Sequence, residues 1–232
     1  MNKSLDFRQL NTLPRDLFNV ETGDTWFNRE VQAYTDSLDT LFFTDQGLHI
    51  KALKKNGRYE SARITTEGKW TFLYGTLSIT AKLPKGRGVW PALWMLSDTQ
   101  PFGGWPHSGE IDIVEYRGHY PDQVLFSLHT STYNHRKDGH YHHAHPMTPE
   151  GFHTYTLTWQ KESLGLSIDG SLVHTFKKGE HGRDTDDAGW PFHHPFHLVM
   201  NVAVGGMLGG EVFDEDFPQE MIIQSIHYEE AL

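Results

Sequence analysis

Short runs in which apolar and polar residues alternate one by one, closed by turn-forming residues, recur along this chain and set the strongest limit on its fold. Leu77, Ile79 and Ala81 form one such series, and Tyr155, Leu157 and Trp159 another. A period of two sends successive side chains to opposite faces of a β-strand. Lys55-Asn56-Gly57, Pro84-Lys85-Gly86 and Asp169-Gly170 punctuate the runs, and the last is the two-residue signature of a tight hairpin. Helical periodicity is weak: only Asn11–Phe18 and Pro149–Phe152 offer a turn or two. Two stretches read as long loops, Asn134–Thr148, dense in histidine, and Lys177–Trp190, dense in charge and glycine. The pattern is that of an all-β protein built as a sandwich.

A chain of 232 residues with 37% hydrophobic content can enclose one sizeable core. Without an internal repeat, a low-complexity tract or a Pro/Ser linker, residues 1–232 read as a single domain. Thirty acidic against twenty basic side chains leave a net charge of −10, the wrong sign for a phosphate backbone, so nucleic acid is not an expected partner. The longest apolar run, around Leu198 to Val204, is too short to span a bilayer, and Met1–Leu13 lacks the apolar stretch of a secretory leader. No membrane association is expected. The site of action is extracellular if a leader has been removed and cytoplasmic otherwise; a monomer is expected. There is no cysteine, which rules out disulfides and thiolate metal sites.

The segment Gly109-Glu110-Ile111-Asp112-Ile113-Val114-Glu115-Tyr116 places three carboxylates among β-branched residues that favour an extended strand. In a regular strand Glu110 and Asp112 share a face and Glu115, five residues from Glu110, points to the other. One extra residue near Ile113-Val114, a β-bulge, would put all three carboxylates on one face and the apolar side chains into the core. Paired carboxylates are the machinery of glycoside hydrolysis, and retaining enzymes hold them about 5–5.5 Å apart. Four strand steps separate the glutamate Cα atoms by about 13 Å, so the side chains must converge across a concave sheet. The plainer reading of the segment is an acidic edge strand.

At these residues the chain resembles glycoside hydrolase family 16, whose members carry a Glu-x-Asp-x-(x)-Glu strand; the spacing here is that of the laminarinase-like branch. The resemblance extends through Tyr59-Glu60-Ser61-Ala62-Arg63-Ile64, Trp90-Pro91-Ala92-Leu93-Trp94, Trp105-Pro106, Phe152-His153-Thr154-Tyr155 and Asn201-Val202-Ala203-Val204-Gly205-Gly206. It implies a β-jelly-roll of two antiparallel sheets with a concave cleft, and endo-acting, retaining hydrolysis of β-1,3-glucan of the laminarin type or of mixed-linkage β-1,3-1,4-glucan. It implies Glu110 as nucleophile, Glu115 as general acid and then base, and Asp112 as the assisting carboxylate between them. Sugar contacts are implied for Trp105 as a stacking platform, Asn28 and Arg63 as donors on the glycone side, His129 near the carboxylates, and Asn201. Trp90, Trp94 and Trp159 read as core.

The chain also departs from the family. Relatives often begin with a strand bearing Asp-Glu-Phe, which is expected to be absent or replaced here. The position matching a calcium ligand of relatives is Gln224, which argues against a structural calcium, and no cofactor is expected. His135, His140, His142, His143 and His145 follow no zinc-site spacing, so no metal site is expected. Asp186-Asp187, Asp214-Glu215-Asp216 and Glu229-Glu230 read as solvated turns and tail. Two alternatives stand beside the glucanase: a non-catalytic β-glucan-binding lectin, and a relative acting on a galactan. With no evident Lys/Arg cluster near the cleft motifs, a neutral glucan is favoured.

Overall fold

The computed structural model describes residues 2–137 and 141–231. The strands are, in chain order, β1 (Asn2–Asp6), β2 (Asn19–Glu21), β3 (Gln32–Tyr34), β4 (Leu41–Thr44), β5 (Gly47–Lys55), β6 (Arg58–Ser61), β7 (Arg63–Thr65), β8 (Thr71–Phe72) and β9 (Gly75–Lys82). They continue with β10 (Val89–Ser97), β11 (Glu110–Tyr116), β12 (Gln123–His129), β13 (Tyr141–Pro146), β14 (His153–Gln160), β15 (Ser163–Ile168), β16 (Ser171–Lys177), β17 (Phe196–Val204) and β18 (Gln219–Glu229). One sheet has the order β16-β15-β14-β9-β18-β5-β6-β3, with β1 on β18 and β4 on β5; the other has the order β13-β12-β11-β10-β17-β7-β2, with β8 on β17. The ladders that build both sheets, such as β9 on β18 and β10 on β17, are antiparallel, except at one edge, where β3 runs parallel to β6. This is the expected jelly-roll sandwich.

Alternation places the core. Ile64, Leu93, Met95, Ile111 and Met200 from one sheet meet Leu77, Ile79, Leu157 and Ile226 from the other in one hydrophobic cluster. Each such side chain, removed from water, stabilises the fold by about 1.5–3 kcal/mol. The Asp169-Gly170 hairpin joins β15 to β16 with φ of 50° and 79° at its two residues, the double positive φ that a type I′ turn requires and that favours glycine.

Two expectations need correction, and the structure decides a third. Asn11–Phe18 forms a turn rather than a helix, with the Leu17 and Phe18 amides both bonded to the Pro14 carbonyl, and Pro149–Phe152 is likewise non-helical. Neither segment has an apolar face long enough to dock a helix. Asn134–Thr148 is not one loop, because Tyr141–Pro146 pairs with β12; its core-facing residues, Tyr141 and His143, are not aliphatic, which hides the alternation. At the N-terminus, where the relatives' Asp-Glu-Phe strand was expected to be absent or replaced, β1 stands: it pairs with β18, and Phe7, just after it, is fully buried.

Candidate active site

The site lies on β11, and its geometry starts from one irregularity. On the β12 side Asp112 is opposite Ser127 and Glu115 opposite Leu125, so two residues, Ile113 and Val114, stand against one, Phe126. On the β10 side Asp112 is opposite Trp94 and Val114 opposite Leu93. Both registers agree if Ile113 is the extra residue, and both Ile113 and Val114 are fully buried in the core. The bulge therefore lies where the carboxylate spacing demands it, and Glu115 returns to the face of Asp112 and Glu110. Gly109, at φ 87°, turns the chain into the strand against Pro191, Phe192 and Phe196; a side chain there would be strained as well as crowded.

The three carboxyl groups sit in different surroundings. Glu110 is half-buried and accepts a 2.7 Å hydrogen bond from Trp105 Nε1. Asp112 is 3% exposed, and its Oδ2 has no hydrogen-bond partner. Glu115 is 6% exposed and accepts from Trp90 Nε1 at 2.9 Å and Ser127 Oγ at 3.4 Å. Burial, then the charges of Glu115 and Glu110, pushes the Asp112 carboxyl well above the usual carboxylate range. Burial is also the main cause that raises Glu115, with the charge of Glu110 adding to it, while His129 and the Trp90 hydrogen bond oppose.

His129, at the end of β12 opposite Glu110, supplies the compensating charge. Its Nε2 lies 3.5 Å from Glu110 Oε1 and 3.3 Å from Asp112 Oδ2. Burial alone would lower its pKa, but the neighbouring carboxylates outweigh burial and lift it to about 10. One ligand atom each from Glu110, Asp112 and His129 falls within 4.8 Å of the others, a spacing a cation could use. A protonated imidazole has no lone pair to offer it.

The other expected residues flank β11 on both sides. Toward β17 and β7, Asn201 is opposite both Ala92 and Arg63. Asn201 accepts from Trp94 Nε1 at 2.7 Å and donates to the Tyr34 hydroxyl at 2.9 Å, which bonds Glu30 at 3.3 Å. Arg63 pairs with Glu21 and lies over the rings of Trp94 and Trp26, 4.8 and 5.2 Å from their centroids. Asn28 sits farther out, half-buried at φ 60° in the 3-10 turn Phe27–Arg29, against Gly206. Toward β12, Trp105 and His129 lie together, with ring centroids 6.0 Å apart.

Trp90 and Trp94 are not core residues, although Trp159 is. They are half-buried on the carboxylate side, where their indole N–H groups hold Glu115 and Asn201. The signal was present in parity: Leu93 and Met95 fill the core, so the residues out of step with them belong to the other face. Glu21, Trp26, Glu30 and Tyr34 were not singled out either; they belong to short elements without periodicity. His135 and Arg136 stand against Trp105, with His135 stacked at 5.2 Å and the Arg136 guanidinium 4.7 Å from the ring centroid. No Lys/Arg cluster was evident near the cleft motifs in the sequence; the Arg136 contact brings a basic residue to Trp105 from a loop distant in sequence. In the histidine-rich stretch, His142 and His143 lie on opposite faces of β13, and His140 lies outside the described residues.

Residues 25–222 match the family model described as glycosyl hydrolases family 16. A β-glucanase from Rhodothermus marinus is 39% identical over 217 residues, covering 88% of this chain and 75% of that protein. A glucan endo-1,3-β-glucosidase from Cryptopygus antarcticus is 36% identical, covering 86% and 79% respectively. The crystal structure of a laminarinase from Flavobacterium sp. UMI-01 superposes with a TM-score of 0.88 at 37% identity, covering 98% of both chains. A bulged strand with three carboxylates on one face, set in this sandwich and matched along most of its length, places the chain in glycoside hydrolase family 16.

Proposed function

We propose that the chain is a retaining endo-β-glucanase that cleaves β-1,3-glucan of the laminarin type or mixed-linkage β-1,3-1,4-glucan. The observation that carries this reading is the bulge at Ile113, which gathers Glu110, Asp112 and Glu115 on one face with unequal burial. Unequal environments are what separate an acid from a nucleophile in a carboxylate pair.

In the first step Glu110 attacks the anomeric carbon, the bond from that carbon to the departing oxygen breaks, and Glu115 gives that oxygen its proton. Esterification then removes the Glu110 charge, one of the causes that raise the Glu115 pKa, so Glu115 becomes a willing base. In the second step Glu115 takes a proton from water, whose oxygen bonds to the anomeric carbon as the ester to Glu110 breaks. Asp112, between them, has its carboxyl pushed well above the usual carboxylate range, chiefly by burial, which tempers the repulsion. Asn28, Arg63 and Asn201 bind the glycone side, Trp105 and His129 the sugar nearest the carboxylates. The chain acts as one catalytic unit and as a monomer, which gel filtration tests.

Replacing Glu110 by Ala should lower hydrolysis by about 10⁴-fold or more. Added azide should restore turnover and yield an α-glycosyl azide. Undiminished hydrolysis by that variant would remove Glu110 from the nucleophile role. A panel of laminarin, lichenan, barley glucan and agarose, with products resolved by size over time, tests linkage and endo action. Tight binding without hydrolysis would mark a lectin instead.

A further inference from the structure

The loop after β12 carries a feature the hydrolytic mechanism does not use. The Thr130 amide donates to the Tyr133 carbonyl, the Tyr133 amide donates to Thr130 Oγ1 at 3.0 Å, Asn134 returns its side-chain amide to the Thr130 carbonyl, and the Arg136 amide donates to Asn134 Oδ1 at 3.0 Å. Tyr133 and Asn134 are 4% and 2% exposed, so the loop is anchored and the side chains beyond it project from a fixed base. Arg136 is exposed and lies on Trp105, the same ring whose N–H holds Glu110. Among the described residues its guanidinium pairs with no carboxylate. Lys137 and His107 converge on Ser131 beside it: Lys137 Nζ donates to the Ser131 carbonyl, and His107 Nδ1 lies 2.6 Å from the Ser131 hydroxyl. On a chain of net charge −10, this end of the cleft carries two permanent cations.

We propose that Arg136, supported by Lys137, is a specificity-determining residue that reads an anionic substituent on the glucan, on the aglycone side of the cleft. The side follows from strand order: Arg63 and Asn201 lie toward β7 and β17, whereas this loop leaves β12 on the other flank of β11. A guanidinium resting on an indole uses its face and keeps its N–H edges for an acceptor. The contact of an exposed guanidinium with this half-buried ring is worth about 0.5–1 kcal/mol, less than a charge-assisted bidentate bond to a carboxylate or sulfate. An arriving anion can therefore take Arg136 from the ring or be met where it rests.

This inference rests on the glucanase reading, and the test separates the two. Neutral laminarin is compared with carboxymethylated, sulfated and, as a neutral control of similar bulk, hydroxyethylated laminarin at matched substitution. The wild-type protein should favour each anionic polymer over the hydroxyethylated one by about fivefold in kcat/KM at low ionic strength, with the preference fading in about 0.5 M salt. Arg136→Gln should reduce the ratio to near one, and Arg136→Lys should keep part of it. No preference in the wild type, or one that Arg136→Gln leaves intact, overturns the inference. A preference for one anion alone that Arg136→Gln abolishes supports the inference for that group, and one that Arg136→Gln leaves intact overturns it. If laminarin itself is not hydrolysed, the glucanase reading fails, and the same ratios read as binding affinities still decide the role of Arg136.

Discussion

Trp90 donates its indole hydrogen to Oε1 of Glu115 at 2.9 Å, so a residue of the neighbouring strand helps set the proton affinity of the proposed acid. Burial raises that affinity and the hydrogen bond lowers it. Trp90→Phe removes the donor. The pKa of Glu115 should rise further, moving the alkaline limb of the kcat/KM profile upward by about one pH unit, or about 1.4 kcal/mol. A profile unchanged in position, whatever its height, would disconnect Trp90 from the acid.

His129, lifted to about 10, binds a proton in the folded chain over a pH range where the unfolded chain has lost it. The folded state then holds more protons than the unfolded state, so stability falls as pH rises. The contribution is complete below about 6.5 and is lost as pH passes about 10. Thermal melts between those limits should therefore decline more steeply for the wild type than for His129→Gln. Parallel curves would deny the charge.

Asp112 is buried, and its carboxyl is pushed upward chiefly by burial; Asn has nearly the shape of the protonated acid. Asp112→Asn should keep stability at neutral pH within about 1 kcal/mol of the wild type. Turnover should nevertheless fall about 10- to 100-fold, because an amide cannot exchange a proton with the glutamates. A large loss of stability in denaturant titration would mean that Asp112 is ionised.

Asn201 joins Trp94 to Tyr34. Asn201→Ala leaves the half-buried Trp94 indole N–H without its acceptor and takes one of two partners from the buried Tyr34 hydroxyl, which keeps Glu30; an unsatisfied donor costs about 1–3 kcal/mol. The midpoint of unfolding should drop and KM for laminarin should rise. An unchanged KM would confine Asn201 to a structural part.

The sandwich was legible because Leu77, Ile79 and Ala81 alternate cleanly, and the carboxylate strand was legible because charges among Ile111, Ile113 and Val114 demand a reason. Trp90 and Trp94 were misread because a large indole satisfies a core as readily as it lines a cleft, and only the partner across the strand tells them apart. Tyr141–Pro146 was missed because its inward residues are Tyr and His. The Arg136 contact was invisible since it depends on a loop folding back onto Trp105 from a distant part of the chain, which neither spacing nor composition encodes.

The extra residue at Ile113 acts as a phase shift. Without Ile113, Val114 would face Leu93 and Glu115 would face Ala92 in an unbroken ladder, because the register on β10 already runs Leu93 to Val114 and Ala92 to Glu115. A one-codon deletion at that position therefore leaves both glutamates in step, whereas a one-codon deletion at Ile111 would put Glu110 out of step with its partner. The strand tolerates loss of one residue only between Asp112 and Glu115, at Ile113 or equally at Val114, and both are methyl-rich core residues rather than carboxylates.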